Sequence, residues 1–263
     1  MLDSLAPARR RLVLGVLGLA ALAVVAATLA IVVPRLSASG DDVRPVGQDA
    51  QPPVLLVPGY GGGTSGLEVM AAALRRDGRQ VTVVHLAGDG TGDLHRQAAV
   101  VQQAVVGTGS PSVDVVGYSA GGVTVRLWAR AYGGGSVARR IVTLGSPQHG
   151  TDLAALANDL APGRCPAACR QLATDSDLLR ELNRGDETPD GPAWVSIWTT
   201  DDAISTPPDT ASLAGALDFS VQQVCPGVDV SHGELPASPI VIAMVEAQLR
   251  QTPPTVPGAG VCG

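Results

Sequence analysis

The strongest constraint on this chain is the segment Gly117–Gly121, which reads G-Y-S-A-G and has the form G-x-S-x-G. A run rich in β-branched residues, Val113–Val116, precedes it, and a stretch compatible with a helix, Gly122–Ala131, follows it. This order predicts a strand, a sharp turn and a helix, with Ser119 at the turn. Glycine on either side lets strand and helix approach closely, so we interpret the segment as a nucleophile elbow. A glycine-rich turn in an ordinary strand–helix unit is the alternative, and the rest of the chain must decide between them.

The composition limits the class of protein. At 263 residues, the chain can hold one domain of ordinary size and an extension. Apolar residues make up 45% of the chain and aromatic residues 3%, so we expect a core built from Val, Leu, Ala and Ile. The formal net charge of −6 argues against a nucleic-acid partner, which would favour a basic face.

The N-terminus has the features of a membrane anchor. Three arginines, Arg9–Arg11, precede the uncharged apolar run Leu12–Val33, which is long enough to cross the bilayer as a helix. Arginines on this side predict a single-pass protein with its domain outside the cell. A cleaved signal and a secreted protein are the alternative, since small residues follow at Ser37–Gly40. The expected domains are an anchor or uncleaved signal at 1–36, a linker at 37–53 and an α/β domain at 54–263.

All four cysteines lie in the second half of the chain, at Cys165, Cys169, Cys225 and Cys262. Their even number and the export signal suggest two disulfides, for which three pairings are possible. Proximity in sequence favours Cys165–Cys169, which leaves Cys225–Cys262. Paired C-x-x-C spacing with histidines is lacking, so we expect no metal site.

Strands and helices alternate along the domain, which predicts an α/β fold with a mostly parallel sheet covered by helices on both faces. The expected strands are Val54–Val57, Val81–Leu86, Val113–Val116, Ile141–Leu144, Trp194–Trp198 and, less regularly, Val221–Val224. The expected helices are Leu67–Arg76, Leu94–Val106, Gly122–Ala131 and Ile240–Arg250. We interpret the long interval 152–192 as an insertion near the carboxyl edge of the sheet.

An activated serine needs a base within hydrogen-bond reach, and in this fold the chain order is serine, acid, histidine. His85 and His95 precede Ser119, and His149 follows it too closely to leave room for an acid. His232 lies in a loop after the last expected strand and before the last helix. We therefore expect His232 to be the base, and His149 to shape the cleft wall or to hydrogen-bond locally.

The acid is expected in the loop after the strand Trp194–Trp198, where Asp201 and Asp202 both qualify. A buried carboxylate would hold the imidazole in the required tautomer. We favour Asp202 and interpret Asp201 as a loop or capping residue. The lesser candidates are Asp209, Asp218 and Asp229.

Two backbone N–H groups are needed for an oxyanion hole. One is the N–H of Ala120, directly after the serine, and the other belongs to the loop after the first domain strand. That loop is Pro58–Gly61, and we choose the N–H of Tyr60. A phosphate-binding loop is the alternative for this segment, but the G-x-G-x-x-G spacing and the P-loop lysine are both missing.

Taken together, the chain resembles small secreted bacterial lipases and esterases, the class 2 lipases of the α/β-hydrolase superfamily, over roughly residues 54–250. The resemblance is carried by six segments: Pro58–Gly62 (PGYGG), Asp89–Leu94 (DGTGDL), Gly117–Gly122 (GYSAGG), Leu144–Thr151 (LGSPQHGT), Val195–Asp202 (VSIWTTDD) and Val230–Gly233 (VSHG). Many members have His-Gly where this chain has Pro58-Gly59, and the cysteine-bearing insertion is an addition to the minimal fold.

The resemblance implies ester hydrolysis through an acyl-serine intermediate, without a cofactor. The expected partners are a small-molecule or lipid ester and, through the N-terminal helix, the membrane; we expect a monomer. Two alternatives stay open. One is an acyltransferase or thioesterase that uses the same three residues, and the other is a non-catalytic binding module of the cell envelope.

Overall fold

A parallel sheet forms the centre of the computed structural model, which describes residues 45–161, 163–250 and 252–263. Its six strands, within the described residues, are β1 (Val54–Val57), β2 (Val81–Val83), β3 (Val113–Tyr118), β4 (Ala138–Leu144), β5 (Ala193–Trp198) and β6 (Leu217–Ser220). They lie in the order β2-β1-β3-β4-β5-β6, and every neighbouring pair is parallel. The α/β prediction is confirmed.

Helices cover both faces of this sheet. The α-helices of the described residues are α1 (Ser65–Arg76), α2 (Leu94–Gly107), α3 (Ala120–Ala131), α4 (Asp152–Leu160), α5 (Ala167–Gln171), α6 (Asp177–Leu182), α7 (Val221–Val224) and α8 (Pro239–Arg250). Short 3₁₀ turns lie at Gly134–Ser136, Pro208–Ala211, His232–Glu234 and Ala259–Val261.

Strand β1 packs against the helices on both faces of the sheet. All four of its residues are buried, as expected for a central parallel strand whose two faces are both covered. Val54 and Leu56 belong to the core cluster that includes α1 and α8, whereas Leu55 and Val57 belong to the cluster that includes α2 and α3. Because successive side chains of β1 point to opposite faces of the sheet, this one strand contributes to both core clusters.

The prediction of one strand was wrong. Residues 221–224 form the short helix α7, and the strand is the preceding segment β6. Ser220 ends the strand because its hydroxyl accepts a hydrogen bond from the N–H of Gln223 at 3.1 Å, which caps a helix. Val221 and Val224 are both buried and lie three positions apart, a helical spacing. A second strand is shorter than expected, because β2 ends at Val83.

A buried ion-pair cluster lies at the amino ends of β3 and β4. Asp114 accepts a hydrogen bond from Arg79 at 2.6 Å and two from Arg139, at 2.5 and 2.8 Å. Arg139 also donates to the backbone carbonyl of Gln48 at 2.9 Å, so the segment ahead of β1 contacts the domain here. Burying these charges is compatible with stability only because each is paired and hydrogen-bonded.

Both disulfides expected from proximity are present, Cys165–Cys169 and Cys225–Cys262. The second joins the end of α7 to the C-terminal residues. A search of the described residues finds no helix with the length and apolar character needed to span a membrane. The expected anchor at 1–36 lies outside the described residues, so the anchor and the domain boundaries stay predictions.

Candidate active site

Ser119 lies at the sharp turn between β3, which ends at Tyr118, and α3, which begins at Ala120. Its backbone angles are φ 55° and ψ −129°, and no other non-glycine residue of the described chain has a positive φ. Side chains resist this region of backbone space, at a cost of about 1–3 kcal/mol. The turn therefore holds Ser119 in a strained conformation that the surrounding packing must stabilise.

The two glycines of the G-x-S-x-G pattern permit that packing. A Cβ on Gly117 would lie 2.6 Å from the Cα of Gly122, and a Cβ on Gly121 would lie 2.4 Å from the carbonyl oxygen of Val57. Both obstacles are backbone atoms, which cannot move aside as a flexible side chain could. Strand β3, helix α3 and the end of β1 therefore approach at a distance that only glycine allows.

His232 lies against Ser119. Its Nε2 is 3.0 Å from the Ser119 hydroxyl oxygen, although 113 positions separate the two residues in sequence. The histidine begins a 3₁₀ turn that is closed by a capping box, in which Glu234 accepts hydrogen bonds from the hydroxyl and the N–H of Ser231. These hydrogen bonds lower the pKa of Glu234.

Asp202 lies on the other side of the imidazole. Its Oδ2 is 2.7 Å from Nδ1 of His232, and its Oδ1 accepts hydrogen bonds from the N–H groups of Ile204 and Ser205 at 2.9 and 2.8 Å. The carboxylate is buried and fully hydrogen-bonded. Since it can only accept, Nδ1 of His232 carries the proton and Nε2 is free to accept one from Ser119.

The structure separates the two aspartates that the sequence left open. Asp201 turns away from His232 and accepts a hydrogen bond from the Gln222 amide at 2.9 Å and a longer one from the N–H of Val230 at 3.4 Å. Val230 lies two positions before His232, so Asp201 helps to hold the histidine loop. Asp202, and not Asp201, therefore lies against the imidazole.

The remaining candidates are placed elsewhere. His149 lies 2.9 Å from Glu187 through Nε2 and 3.3 Å from the carbonyl oxygen of Thr210 through Nδ1, so the expectation of local hydrogen bonds is confirmed. Asp218 accepts a hydrogen bond from Ser212 at 2.9 Å. Within the described residues, no group of three or more His, Cys, Asp or Glu side chains is placed to hold a metal ion.

The loop after β1 passes directly beside Ser119. A Cβ on Gly59 would lie 2.8 Å from the Cβ of Ser119, so Gly59 is another position where only glycine fits. The next residue is Tyr60, and neither its N–H nor that of Ala120 donates a hydrogen bond to another described residue. Both residues thus lie on chain segments that flank the serine, and an oxyanion hole needs two backbone donors near the nucleophile.

Sequence reasoning missed Tyr118, the variable residue between Gly117 and Ser119. Its hydroxyl donates to the backbone carbonyl of His232 at 3.2 Å, and its ring centroid lies 5.3 Å from that of the imidazole. Burial, with the nearby charge of Asp202, raises the pKa of Tyr118 to about 12. The pattern leaves this position unconstrained, and no signal in the sequence singled it out.

Gly145, at the end of β4, is a second residue whose role was missed. It has a φ of 53°, and a Cβ there would lie 2.5 Å from Leu235 Cδ1 and 3.1 Å from Asp202 Oδ2. Its carbonyl oxygen accepts a hydrogen bond from Ser205 at 2.8 Å. Gly145 therefore leaves the space in which the carboxylate and the imidazole meet.

Ser119 and Tyr60 line a cleft of about 400 Å³ whose other walls are largely apolar. The walls come mainly from the interval 152–192, through α4 and the segment that leads into α5, and from Ile204 in the loop after β5. The volume is in the range of small-molecule sites in proteins. The arrangement can bind an apolar group next to a hydrogen-bonded serine.

Comparisons with known proteins agree with this fold. Residues 52–164 match the family described as alpha/beta hydrolase fold. Lipase B of Aspergillus fumigatus is 18% identical with a TM-score of 0.65, over 78% of this chain and 54% of its own, so the chain spans about half of that lipase. The mature form of the Bacillus licheniformis lipase BlEst2 is 18% identical with a TM-score of 0.61, over 78% of this chain and 94% of its own.

A structure reported for two metagenome-derived lipolytic enzymes, LipS and LipT, is 14% identical with a TM-score of 0.59. It matches over 77% of this chain and 94% of its own. No curated protein matches the chain by sequence. The protein has the α/β-hydrolase fold, with a parallel six-stranded sheet in its described part.

The substitution Gly121→Ala tests the packing of the elbow. The new methyl group would overlap the carbonyl oxygen of Val57. We therefore expect the free energy of unfolding, measured by urea denaturation, to fall by at least about 1–3 kcal/mol. Gly107→Ala is the matched control, since a Cβ there meets nothing within 4 Å and α2 ends at this residue. Equal stability of the two variants would contradict the account of the elbow.

Proposed function

We propose that this protein is a serine carboxylester hydrolase of the small secreted bacterial lipase and esterase type. The observation that carries the proposal is the hydrogen-bonded series Ser119–His232–Asp202, with distances of 3.0 and 2.7 Å, at the edge of an apolar cleft. A serine next to a histidine that a buried carboxylate orients is the arrangement that activates a hydroxyl for acyl transfer. The α/β-hydrolase fold and the lipases that share it support this assignment.

In the proposed reaction, the Ser119 hydroxyl oxygen attacks the ester carbonyl carbon while Nε2 of His232 takes the proton. Asp202 stabilises the imidazolium that forms. The N–H groups of Tyr60 and Ala120 hold the oxyanion of the tetrahedral intermediate. When the intermediate collapses, the bond to the alcohol breaks and His232 returns its proton to the leaving oxygen. Water repeats the sequence on the acyl-serine, releasing the acid and restoring Ser119.

Hydrolysis is favoured over the other reactions of an acyl-serine because the cleft is open to water. Leu160 and Tyr60, which line it, are 77% and 46% exposed. Transfer to an alcohol or thiol acceptor would need a site that excludes water and holds the acceptor.

We propose export for the same protein, either on a membrane anchor or after cleavage of the signal. Two disulfides join all four cysteines, Cys165 to Cys169 and Cys225 to Cys262. Disulfides form and persist in oxidising compartments outside the cytoplasm. The arginines at Arg9–Arg11 and the apolar run after them support this orientation.

Replacing the nucleophile tests the reaction directly. Ser119→Ala should lower kcat for p-nitrophenyl butyrate by at least about 10⁴-fold and abolish covalent labelling by a fluorophosphonate, since it removes the oxygen that lies against Nε2 of His232. Ser136→Ala, which alters an exposed serine of the turn Gly134–Ser136, is the control and should keep both properties. Undiminished hydrolysis by Ser119→Ala would overturn the proposal, as would failure of the unaltered protein to react with the probe.

The two neighbouring aspartates offer a matched test of the acid. Asp202→Asn should reduce kcat by about 10³–10⁴-fold, because an amide at this position no longer holds the histidine tautomer or stabilises its charged form. Asp201→Asn should reduce kcat by less than tenfold, since it weakens contacts to Thr200, Gln222 and Val230 and none to His232. Steady-state kinetics of both variants decide the matter, and a greater loss in Asp201→Asn would reverse the assignment.

A further inference from the structure

Helix α4 forms a wall of the cleft but has little packing of its own. None of its residues is buried. Its three leucines, Leu153, Leu156 and Leu160, are 48%, 55% and 77% exposed. Leu153 and Leu160 both line the cleft that contains Ser119, together with two alanines of the same helix. The apolar side of α4 therefore faces a space that a ligand can occupy, while the partly buried Ala154 packs against the core cluster that includes α2 and α3.

Hydrogen bonds fix the start of α4. The hydroxyl of Thr151 donates to the carbonyl oxygen of Ile204 at 2.6 Å, and its N–H donates to that of Leu172 at 2.9 Å. The N–H of Asp152 donates to the carbonyl oxygen of Thr206 at 2.9 Å. These contacts tie the helix to the loop that also carries Asp202, so its first turn has a defined position.

The far end of α4 is held through a disulfide. The chain turns back after the helix, where the N–H of Cys165 donates to the carbonyl oxygen of Ala161 at 3.2 Å. Cys165 is then bonded to Cys169 on α5, and both cysteines line the cleft.

Helix α5, in contrast, is firmly attached. Ala168 is fully buried, and its N–H donates to the carbonyl oxygen of Thr91 at 3.1 Å. Gln171 accepts from the N–H of Leu94 at 2.8 Å and donates to Asp93 at 2.7 Å, at the cap of α2. The Cys165–Cys169 bond therefore connects a weakly packed wall to a fixed element.

The two disulfides differ in what they can stabilise. Cys165–Cys169 closes a loop with a sequence separation of 4, whereas Cys225–Cys262 closes one of 37. Stabilisation of the whole fold by chain entropy grows with the size of the closed loop. The short loop therefore stabilises little beyond the segment it closes, which forms part of the cleft wall.

We propose that the Cys165–Cys169 disulfide is a specificity determinant: it fixes α4 as the surface that receives the acyl chain, so the enzyme prefers esters with medium-length or long apolar acyl groups. This inference rests on the proposed ester hydrolysis. A chain that lies along Leu153 and Leu160 removes apolar area from water, and each buried CH₂ is worth about a fourfold gain in binding. An acetyl group is too short to make these contacts.

The test compares the two disulfides in the same chain. The double variants Cys165→Ser/Cys169→Ser and Cys225→Ser/Cys262→Ser are assayed with p-nitrophenyl decanoate and p-nitrophenyl acetate. The first should lower the decanoate-to-acetate ratio of kcat/KM by about tenfold or more, chiefly by raising KM for decanoate. The second should lower Tm while keeping the ratio within about twofold of that of the unaltered protein.

A second pair of variants keeps the disulfides intact. It tests the wall of the cleft even if Cys165→Ser/Cys169→Ser does not fold. Leu160→Trp places an indole on the wall and should change the same ratio by about fivefold or more. Val106→Trp is the control: Val106 is 67% exposed on α2, does not line the cleft, and its replacement should leave the ratio unchanged.

An unchanged ratio in Cys165→Ser/Cys169→Ser, or in Leu160→Trp if that double variant does not fold, overturns the inference. In such a case, fluorophosphonate labelling and hydrolysis of acetate by the unaltered protein would leave the proposed function standing. Absence of both from the unaltered protein would instead contradict the proposed function.

Discussion

The close approach of three backbone segments at the elbow is the constraint on which the rest of the site depends. Carbonyl oxygens of Val57 and Pro58 lie where a Cβ on Gly121 would be, and the start of α3 lies where a Cβ on Gly117 would be. This packing holds Ser119 at a positive φ and presents its hydroxyl at the carboxyl edge of the sheet. The loops after β1 and β5 and the histidine loop meet at the same edge, so Ser119 lies beside Gly59 and His232, and His232 lies against Asp202.

The supporting interactions are divided between the two ends of the sheet. Asp114 and its two arginines lie at the amino ends of the strands, where they join β3 and β4 to the segment ahead of β1. At the carboxyl end, the polar contacts position His232 and Asp202. The strained serine and the open cleft thus lie at the opposite end of the sheet from the buried ion pairs.

Much of the fold could be predicted because local sequence and tertiary packing agree. The bounds of β1 and the strand–turn–helix around Ser119 follow from apolar runs bounded by glycine and proline. The order of Ser119, Asp202 and His232 along the chain allowed their meeting to be anticipated. Where the two levels disagree, the prediction failed: Val221–Val224 has apolar ends that fit either a strand or a helix, and the cap from Ser220 decides for the helix.

Other parts of the site depend on contacts that no local pattern encodes. Tyr118 is recognisable only once the histidine loop lies against it, 114 positions away in sequence. The separation of Asp201 from Asp202 likewise depends on Gln222 and Val230, which reach the loop from later elements. The apolar wall at α4 could not be predicted either, because the helix buries none of its residues and its position depends on hydrogen bonds to the distant loop after β5.

The most direct test is a crystal structure of the protein after reaction with a long-chain alkyl phosphonate ester. The account predicts phosphorus bonded to the hydroxyl oxygen of Ser119, its phosphoryl oxygen between the N–H groups of Tyr60 and Ala120, and His232 still against Asp202. A phosphonate bonded to another residue, or a phosphoryl oxygen directed away from both N–H groups, would contradict it.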